Sequence, residues 1–451
     1  MPVALDQVFK AYDVRGVYPD QLDEELAERV GRAFVALTGA GTLAIGQDMR
    51  ASSKPMADAV AAGAMAQGAD VLRVGLCSTD MIYYVSGVLD VAGVMLTASH
   101  NPARYNGLKL CRPGAVPVGE ESGLADIKRM VAAGEPATPS ARRGRERQAD
   151  DLLARYADHV RGFADTAALR PLKVVADAGN GMAGHVVPAV FAGLPFELVA
   201  MYFELDGSFP NHPADPLNPE NLRELQARVM AERADVGLAF DGDADRVFLV
   251  DEQGATVPSS LVGALVARLM CEREPGATVL YNLICSRVVP ETIREAGGVP
   301  VRTRVGHSFI KGVMAETGAI FGCEHSGHYY FRDNYRADSG LIAALVALDA
   351  LSRAGRPLSE VLAPYRRYAA SGEINRRVED PRRVIAAVAR RYPADACDFT
   401  DGLTVEARDW WFNLRPSNTE PLLRLNAEAA TEAEMARVRD EVLEAVGGEP
   451  A

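Results

Sequence analysis

Four short polar segments concentrate residue types that can hold or move an anionic group. In Thr97-Ala98-Ser99-His100-Asn101-Pro102 the apolar run Val91–Ala98 leads straight into a polar loop. Such a run reads as an interior strand, so Ser99 is a candidate nucleophile in an open loop on a rigid support; the bland reading is an ordinary turn. Asp241-Gly242-Asp243-Ala244-Asp245-Arg246 sets three carboxylates at alternate positions. That spacing lets their oxygens converge on a hard cation such as Mg²⁺, the alternative being a solvated acidic turn. An EF-hand would match Asp241, Asp243, Asp245 and Glu252, but Arg246 stands where its glycine belongs and Val247–Val250 reads as strand. The EF-hand is rejected.

The third segment, Glu324-His325-Ser326-Gly327-His328, offers groups that hydrogen-bond sugar hydroxyls and a glycine that admits a ligand to the backbone. A metal pair of His325 and His328, or two structural histidines, are its alternatives. The fourth, Arg415-Pro416-Ser417-Asn418-Thr419-Glu420-Pro421, joins hydroxyls and an amide to a guanidinium fork suited to phosphate oxygens. Its alternative is a hydroxyl turn with a surface arginine. Three basic stretches accompany these: Tyr12-Asp13-Val14-Arg15-Gly16 before a helical segment, Lys109 after Asn106-Gly107, and Gly306-His307 through Lys311 opening a helix. Asn106-Gly107 reads as a hairpin turn that folds Lys109 back towards Ser99.

The elements that must carry these loops repeat three times. Thr42–Asp48, Leu172–Asp177 and Ala277–Asn282 are short β-rich runs ending in a polar residue. Each precedes a second apolar run that ends at Ser99, Asp241 or Glu324. The pattern predicts three related mixed α/β domains, each offering one loop, and a smaller α+β C-terminal domain. Polar and Pro-containing stretches place the domains at residues 1–148, 149–252, 253–368 and 369–451. The last is expected to hold fewer strands, a Trp410-Trp411 pair in its core, and an amphipathic helix over Glu432–Val446.

Composition narrows the function. The 451 residues are 48% hydrophobic and 24% charged, a soluble globular balance. A net charge of −13 argues against a nucleic-acid surface. No apolar run reaches the roughly 18 residues that span a bilayer, and the stretch Leu341–Leu351 is broken by Asp349. Met1–Asp13 lacks a secretory pattern, and the six cysteines show no metal-type spacing, so a cytoplasmic protein with reduced thiols is expected.

In their order along the chain, the four segments resemble the α-D-phosphohexomutase family, most closely its bacterial phosphomannomutase/phosphoglucomutase branch. The resemblance implies four domains around a central cleft. It also implies interconversion of hexose 1-phosphate and hexose 6-phosphate, of mannose and/or glucose, through a hexose 1,6-bisphosphate intermediate that also serves as activator. Ser99 would carry a phosphate, and Mg²⁺ would be held by that phosphate with Asp241, Asp243 and Asp245. His100, Lys109, Arg15 and Arg246 fall at matching catalytic positions. Tyr12, Asn101, His307, Glu324, Ser326, His328, Arg415, Ser417, Asn418 and Thr419 match substrate-binding ones. The partners implied are small sugar phosphates, without nucleic acid or membrane, and the protein would be a monomer or homodimer. Two positions depart: Ile284 stands where some members have lysine, and His325 follows the glutamate where relatives vary. Phosphoglucosamine mutase, the alternative within the family, has glutamine at the latter position. A serine hydrolase would need the G-x-S-x-G elbow and a base facing Ser99, whereas His100 is expected to point elsewhere. A non-enzymatic sugar-phosphate binder would need neither a donor serine nor a metal loop.

Overall fold

The computed structural model describes residues 5–136, 140–417 and 422–450, and the side chains of His307 and Ser308 fall outside that description. The described residues form sheets of seven, five, four and six strands. The first three share one pattern. Thr42–Gln47 lies parallel between Asp70–Leu76 and Ala92–Leu96, and the latter pairs antiparallel with Tyr105–Arg112. Leu172–Asp177 likewise lies between Phe196–Met201 and Val236–Phe240, which pairs antiparallel with Val247–Asp251. Thr278–Asn282 lies between Val299–Thr303 and Phe321–Cys323, which pairs antiparallel with Tyr329–Phe331. In all three units the polar loop joins the last parallel strand to its antiparallel neighbour. The strands that deliver the loops, Ala92–Leu96, Val236–Phe240 and Phe321–Cys323, are buried throughout, which explains their unbroken apolar runs.

Helices cover these sheets by close approach. Glu24–Thr38 crosses Ser53–Ala66 at Gly31 and Gly63, where an added Cβ would lie 2.6 Å from Val60 O and 2.1 Å from Glu28 O. Asp23 caps the first of these helices by accepting from Leu26 N at 2.8 Å, and Gly39 closes it with a left-handed φ of 65°. Gly340–Ala354 is almost wholly buried, and its Asp349 is paired with Arg273 and Arg353 at 2.7 Å each. Among the described residues no helix is long and apolar enough to cross a membrane.

One continuous core runs through the first three units, from Ile82 and Met95 through Val174 and Leu238 to Phe321 and Leu345. Buried Asp80 sits at their junction and accepts hydrogen bonds from Ser78, Tyr156 and Ser339. The last unit has its own core, Val378 to Val446, and meets the third through Leu283, Ile284 and Trp411.

Three sequence expectations change. The C-terminal sheet has six strands rather than fewer, because its antiparallel strands alternate poorly in hydrophobicity. Asn106-Gly107 is not a turn but lies inside strand Tyr105–Arg112. Glycine is needed there because a Cβ would lie 2.5 Å from Val14 O on the neighbouring strand. The tryptophans divide their work: Trp410 packs on Tyr392 and Phe412, while Trp411 faces Ile284 in the third unit.

Candidate active site

Ser99 stands at the first loop with a left-handed φ of 49°, a conformation costing a non-glycine residue about 1–2 kcal/mol. Its amide donates to Thr97 Oγ1 at 2.9 Å, and the residue is 4% exposed. Its hydroxyl donates to Asp241 Oδ2 at 2.7 Å, and Arg246 Nη2 approaches Oγ at 3.4 Å. The first two loops therefore meet at the serine. They touch because residue 242 is glycine, where a Cβ would lie 2.4 Å from Ser99 O.

His100 corrects an expectation. Its Nδ1 lies 3.2 Å from Ser99 Oγ, because the left-handed turn at Ser99 swings the next side chain back. Burial, with Arg246 and Arg15 nearby, holds the imidazole well below its ordinary pKa. Nδ1 accepts from Arg246 Nη2, which can only donate. Among the described residues no carboxylate is hydrogen-bonded to the His100 ring, as a hydrolase triad would require. Asn101 accepts from Arg15 Nη1 at 2.6 Å, and Arg15 is held by Asp13.

The carboxylates of Asp241, Asp243 and Asp245 are 0–1% exposed and converge so that one ligand atom from each lies within 4.8 Å of the others. Lys109 Nζ bridges Asp243 Oδ2 at 2.7 Å and Asp245 Oδ2 at 2.6 Å. Arg246 Nε pairs with Asp241 Oδ2 at 2.9 Å, and Thr79 Oγ1 donates to Asp243 Oδ2 at 2.5 Å. Burial drives Asp241 well above the usual carboxylate range, and repulsion from Asp245 and Asp243 adds to it. Asp245 goes the other way: against its burial, Lys109 and His328 hold it down to about 2. Asp243 Oδ1 and Asp245 Oδ1 are buried without a hydrogen-bond partner among the described residues. Three converging carboxylates with two hard oxygens left without a hydrogen bond fit a divalent cation.

The third loop is zipped to the second by a bridge between Arg246 and His328, with Val247 N donating to Gly327 O at 3.4 Å. Glu324 is 3% exposed and held on both sides: Gly306 N donates to Oε1 at 3.0 Å, and Tyr330 OH to Oε2 at 2.7 Å. Ser326 Oγ lies 2.8 Å from His328 Nδ1, while His328 Nε2 faces Asp245 Oδ1 at 3.6 Å and Asp338 Oδ2 at 4.0 Å. His328 can thus join Asp245 and Asp338 around a cation, but His325 is not part of that group. His325 instead faces Glu373 and Arg415, and its pKa is lowered by burial. Tyr12 packs edge-on against Phe309, just beyond His307 at the start of helix His307–Thr317.

In the last unit Arg415, 6% exposed, is held by Glu373 at 2.6 Å and donates to Asn426 at 2.9 Å. Arg424 reaches the same Glu373 at 3.3 Å and donates to Ser417 Oγ at 3.3 Å. Asn418, Thr419 and the side chain of His307 lie outside the described residues. Sequence reasoning missed Thr79, Arg424 and Tyr330; Arg424 alone had a signal, since it stands on the strand returning from the fourth loop.

Comparisons with known proteins agree with this architecture. The family described as phosphoglucomutase/phosphomannomutase matches through its alpha/beta/alpha domains I, II and III over residues 6–137, 154–254 and 258–368, and through its C-terminal domain over 373–445. A protein of Xanthomonas campestris pv. campestris named phosphohexose mutases is 40% identical over 436 residues, covering 96% of this chain and 97% of the relative. An Escherichia coli phosphomannomutase is 39% identical over 444 residues, with coverage of 96% and 97%. The crystal structure of a phosphoglucomutase/phosphomannomutase family protein from Burkholderia thailandensis superposes with a TM-score of 0.90 at 34% identity, covering 98% of this chain and 99% of that one. The chain therefore belongs to the phosphoglucomutase/phosphomannomutase family of α-D-phosphohexomutases, and it is a mutase enzyme.

Proposed function

We propose that this enzyme interconverts mannose 1-phosphate and mannose 6-phosphate, with glucose phosphates as further substrates, and that Ser99 is its phosphate carrier. The observation that carries this is Ser99 Oγ at 2.7 Å from Asp241, inside a buried cluster with Arg246 and Lys109. The relatives' names support mannose. In the reading, the free hydroxyl of a hexose 1-phosphate attacks phosphoserine 99. The Ser99 Oγ–P bond breaks, an O6–P bond forms, and the hydroxyl proton leaves to a base. The resulting 1,6-bisphosphate turns over in the cleft and returns its other phosphate to Ser99.

Asp241, Asp243 and Asp245 would hold Mg²⁺, which supplies charge neutralisation at the transferring phosphoryl group. Arg246, paired with the same Asp241 oxygen as Ser99, adds stabilising positive charge beside that serine. Lys109 is a charge stabiliser rather than a base: despite its burial, Asp243 and Asp245 hold it protonated. Glu324, Ser326 and His328 orient ring hydroxyls, and Tyr12, Asn101 and His307 are further substrate-binding residues in this reading. Arg415, Ser417, Asn418 and Thr419 grip the phosphate that is not reacting, and Arg424 joins them through Ser417. Four units at residues 1–148, 149–252, 253–368 and 369–451 contribute one loop each in this reading, the free thiols suit a cytoplasmic protein, and a monomer or homodimer is proposed.

Turnover of mannose, glucose and glucosamine 1-phosphates, measured side by side with intact mass of the enzyme, tests the reading. Phosphate on Ser99 and mannose as the fastest substrate are expected. An enzyme that takes no phosphate from hexose 1,6-bisphosphate would overturn the mechanism, and dominant glucosamine turnover would overturn the substrate.

A further inference from the structure

One buried guanidinium outside the four loops organises the first of them. Arg50 follows strand Thr42–Gln47 and is 3% exposed. A guanidinium has five N–H donors, and here every one is used. Nε donates to Asp48 Oδ2 at 3.1 Å. Nη1 donates to Pro102 O at 2.8 Å and Tyr105 O at 3.1 Å. Nη2 donates to Ser99 O at 2.8 Å and Asn101 O at 2.7 Å. Three of its five partners are backbone carbonyls of the serine loop, and a fourth is that of Tyr105, the first residue of the strand that follows it.

Both ends of this clamp are fixed. Asp48 Oδ1 accepts from Arg50 N at 3.0 Å and Ser53 Oγ at 2.5 Å, which anchors the clamp to strand and helix. From the second unit, Phe209 covers the guanidinium with its ring centroid 5.0 Å from Cζ. Neighbouring Gly207 comes so close that a Cβ would lie 2.5 Å from Arg50 Cα.

We propose that Arg50 is a positioning residue for phosphoryl transfer: it holds the left-handed turn at Ser99 so that Oγ faces Asp241 and Arg246. Arg50 touches no reacting atom. It fixes the carbonyl of Ser99 itself, and so the orientation of the peptide that follows the phosphate carrier. Lysine cannot replace it, since an ammonium has three donors and no plane to spread over five acceptors.

The inference rests on Ser99 being the phosphate carrier, and its test separates the two. Arg50→Lys, Phe209→Leu, Ser99→Ala and wild type are compared in kcat, KM, thermal midpoint, hydrogen exchange, and the rate at which glucose 1,6-bisphosphate loads phosphate onto the enzyme by intact mass. Displacing a reacting group by about 1 Å costs about 100-fold in rate. Arg50→Lys is therefore expected to lose about that factor in kcat and in loading rate, with KM within about threefold of wild type. Amide protection is lost over residues 99–105 and kept elsewhere. Phe209→Leu, which retains all five hydrogen bonds, shows the same pattern in weaker form and decides the matter if the lysine variant does not fold. Wild-type kcat, loading and loop protection in a variant with only a lowered thermal midpoint would mean a purely structural arginine and would overturn the proposal. Wild-type activity in Ser99→Ala would instead remove the carrier reading on which it rests.

Discussion

Replacing Lys109 by methionine should make the protein less stable without metal and, at the same time, a better metal binder. Lys109 Nζ contacts Asp243 at 2.7 Å and Asp245 at 2.6 Å, and both carboxylates are essentially fully buried. Removing one partner of a buried ion pair costs about 3–5 kcal/mol, because the charge left behind stays desolvated. The cluster sets three buried carboxylates against Lys109 and Arg246, and the variant removes one of those two compensating cations. A cation drawn to Asp241, Asp243 and Asp245 then no longer meets an ammonium competing for the same oxygens. A unit charge at 4 Å is worth about 4 kcal/mol at an effective dielectric of 20. Proton uptake by the uncompensated carboxylates removes part of this, so binding tighter by at least about tenfold is expected at neutral pH. Calorimetric titration of Mg²⁺ into metal-free protein reads the affinity, and urea midpoints with and without Mg²⁺ read the stability. Mutase turnover should fall in the same variant if Lys109 stabilises charge during transfer as proposed. A variant that binds Mg²⁺ no more tightly than wild type would refute the idea that lysine and cation share one set of oxygens.

Two further outcomes follow from other groups. Burial lifts Asp80 to about 6 from an ordinary 3.8, with Asp245 adding to it and the bonds from Ser339, Ser78 and Tyr156 opposing it. The folded state therefore keeps a proton that the unfolded state loses, and the stabilisation present below pH 4 disappears as pH rises through 6. Two pKa units correspond to about 3 kcal/mol. Asp80→Asn should thus gain on wild type by up to that amount between pH 4 and 6 in urea titrations, and a pH-independent difference would contradict it. Arg415→Ala should raise KM for sugar phosphate at least about tenfold while Ser99 still loads phosphate, because a charge-assisted phosphate contact is lost. An unchanged KM would remove Arg415 from the phosphate grip.

Much of the site was legible because its chemistry is local. Asp241, Asp243 and Asp245 lie in one short loop, and the buried strand before each loop announces itself as an unbroken apolar run. The threefold repeat was visible for the same reason, since parallel strands covered on both faces leave little room for polar residues. What stayed hidden depends on partners distant in sequence. Arg50 meets carbonyls some fifty residues away, and nothing in Asp48-Met49-Arg50 reveals that. Thr79 is an ordinary helix-start residue until the second unit brings Asp243 against it. The Asn106-Gly107 error has the same origin: the pair fits a turn, but the glycine is required by the strand beside it.

The packing also decides where the cleft can open for a bisphosphate to turn over. Separating any of the first three units would divide a continuous apolar core and expose Asp80 with its bonds from Tyr156 and Ser339. Those are costs of desolvation and cavity formation, several kcal/mol at each contact. The fourth unit has a complete core of its own, so moving it leaves its interior intact. Its attachments among the described residues include a small apolar patch, Arg287 on the carbonyls of Ala407, Arg408 and Trp410, Arg302 on Asp398 and Glu406, and the amides of Arg287 and Val305 on Glu428 and Asp401. Water can replace much of that hydrogen bonding at modest net cost. Opening therefore belongs at the joint beside Trp411, which leaves the Ser99–Asp241 contact undisturbed while Arg415 and its loop move. In the proposed mechanism the phosphate carrier and its cation site would then stay rigid, and the phosphate grip would be the part that releases and re-engages a substrate held from either end.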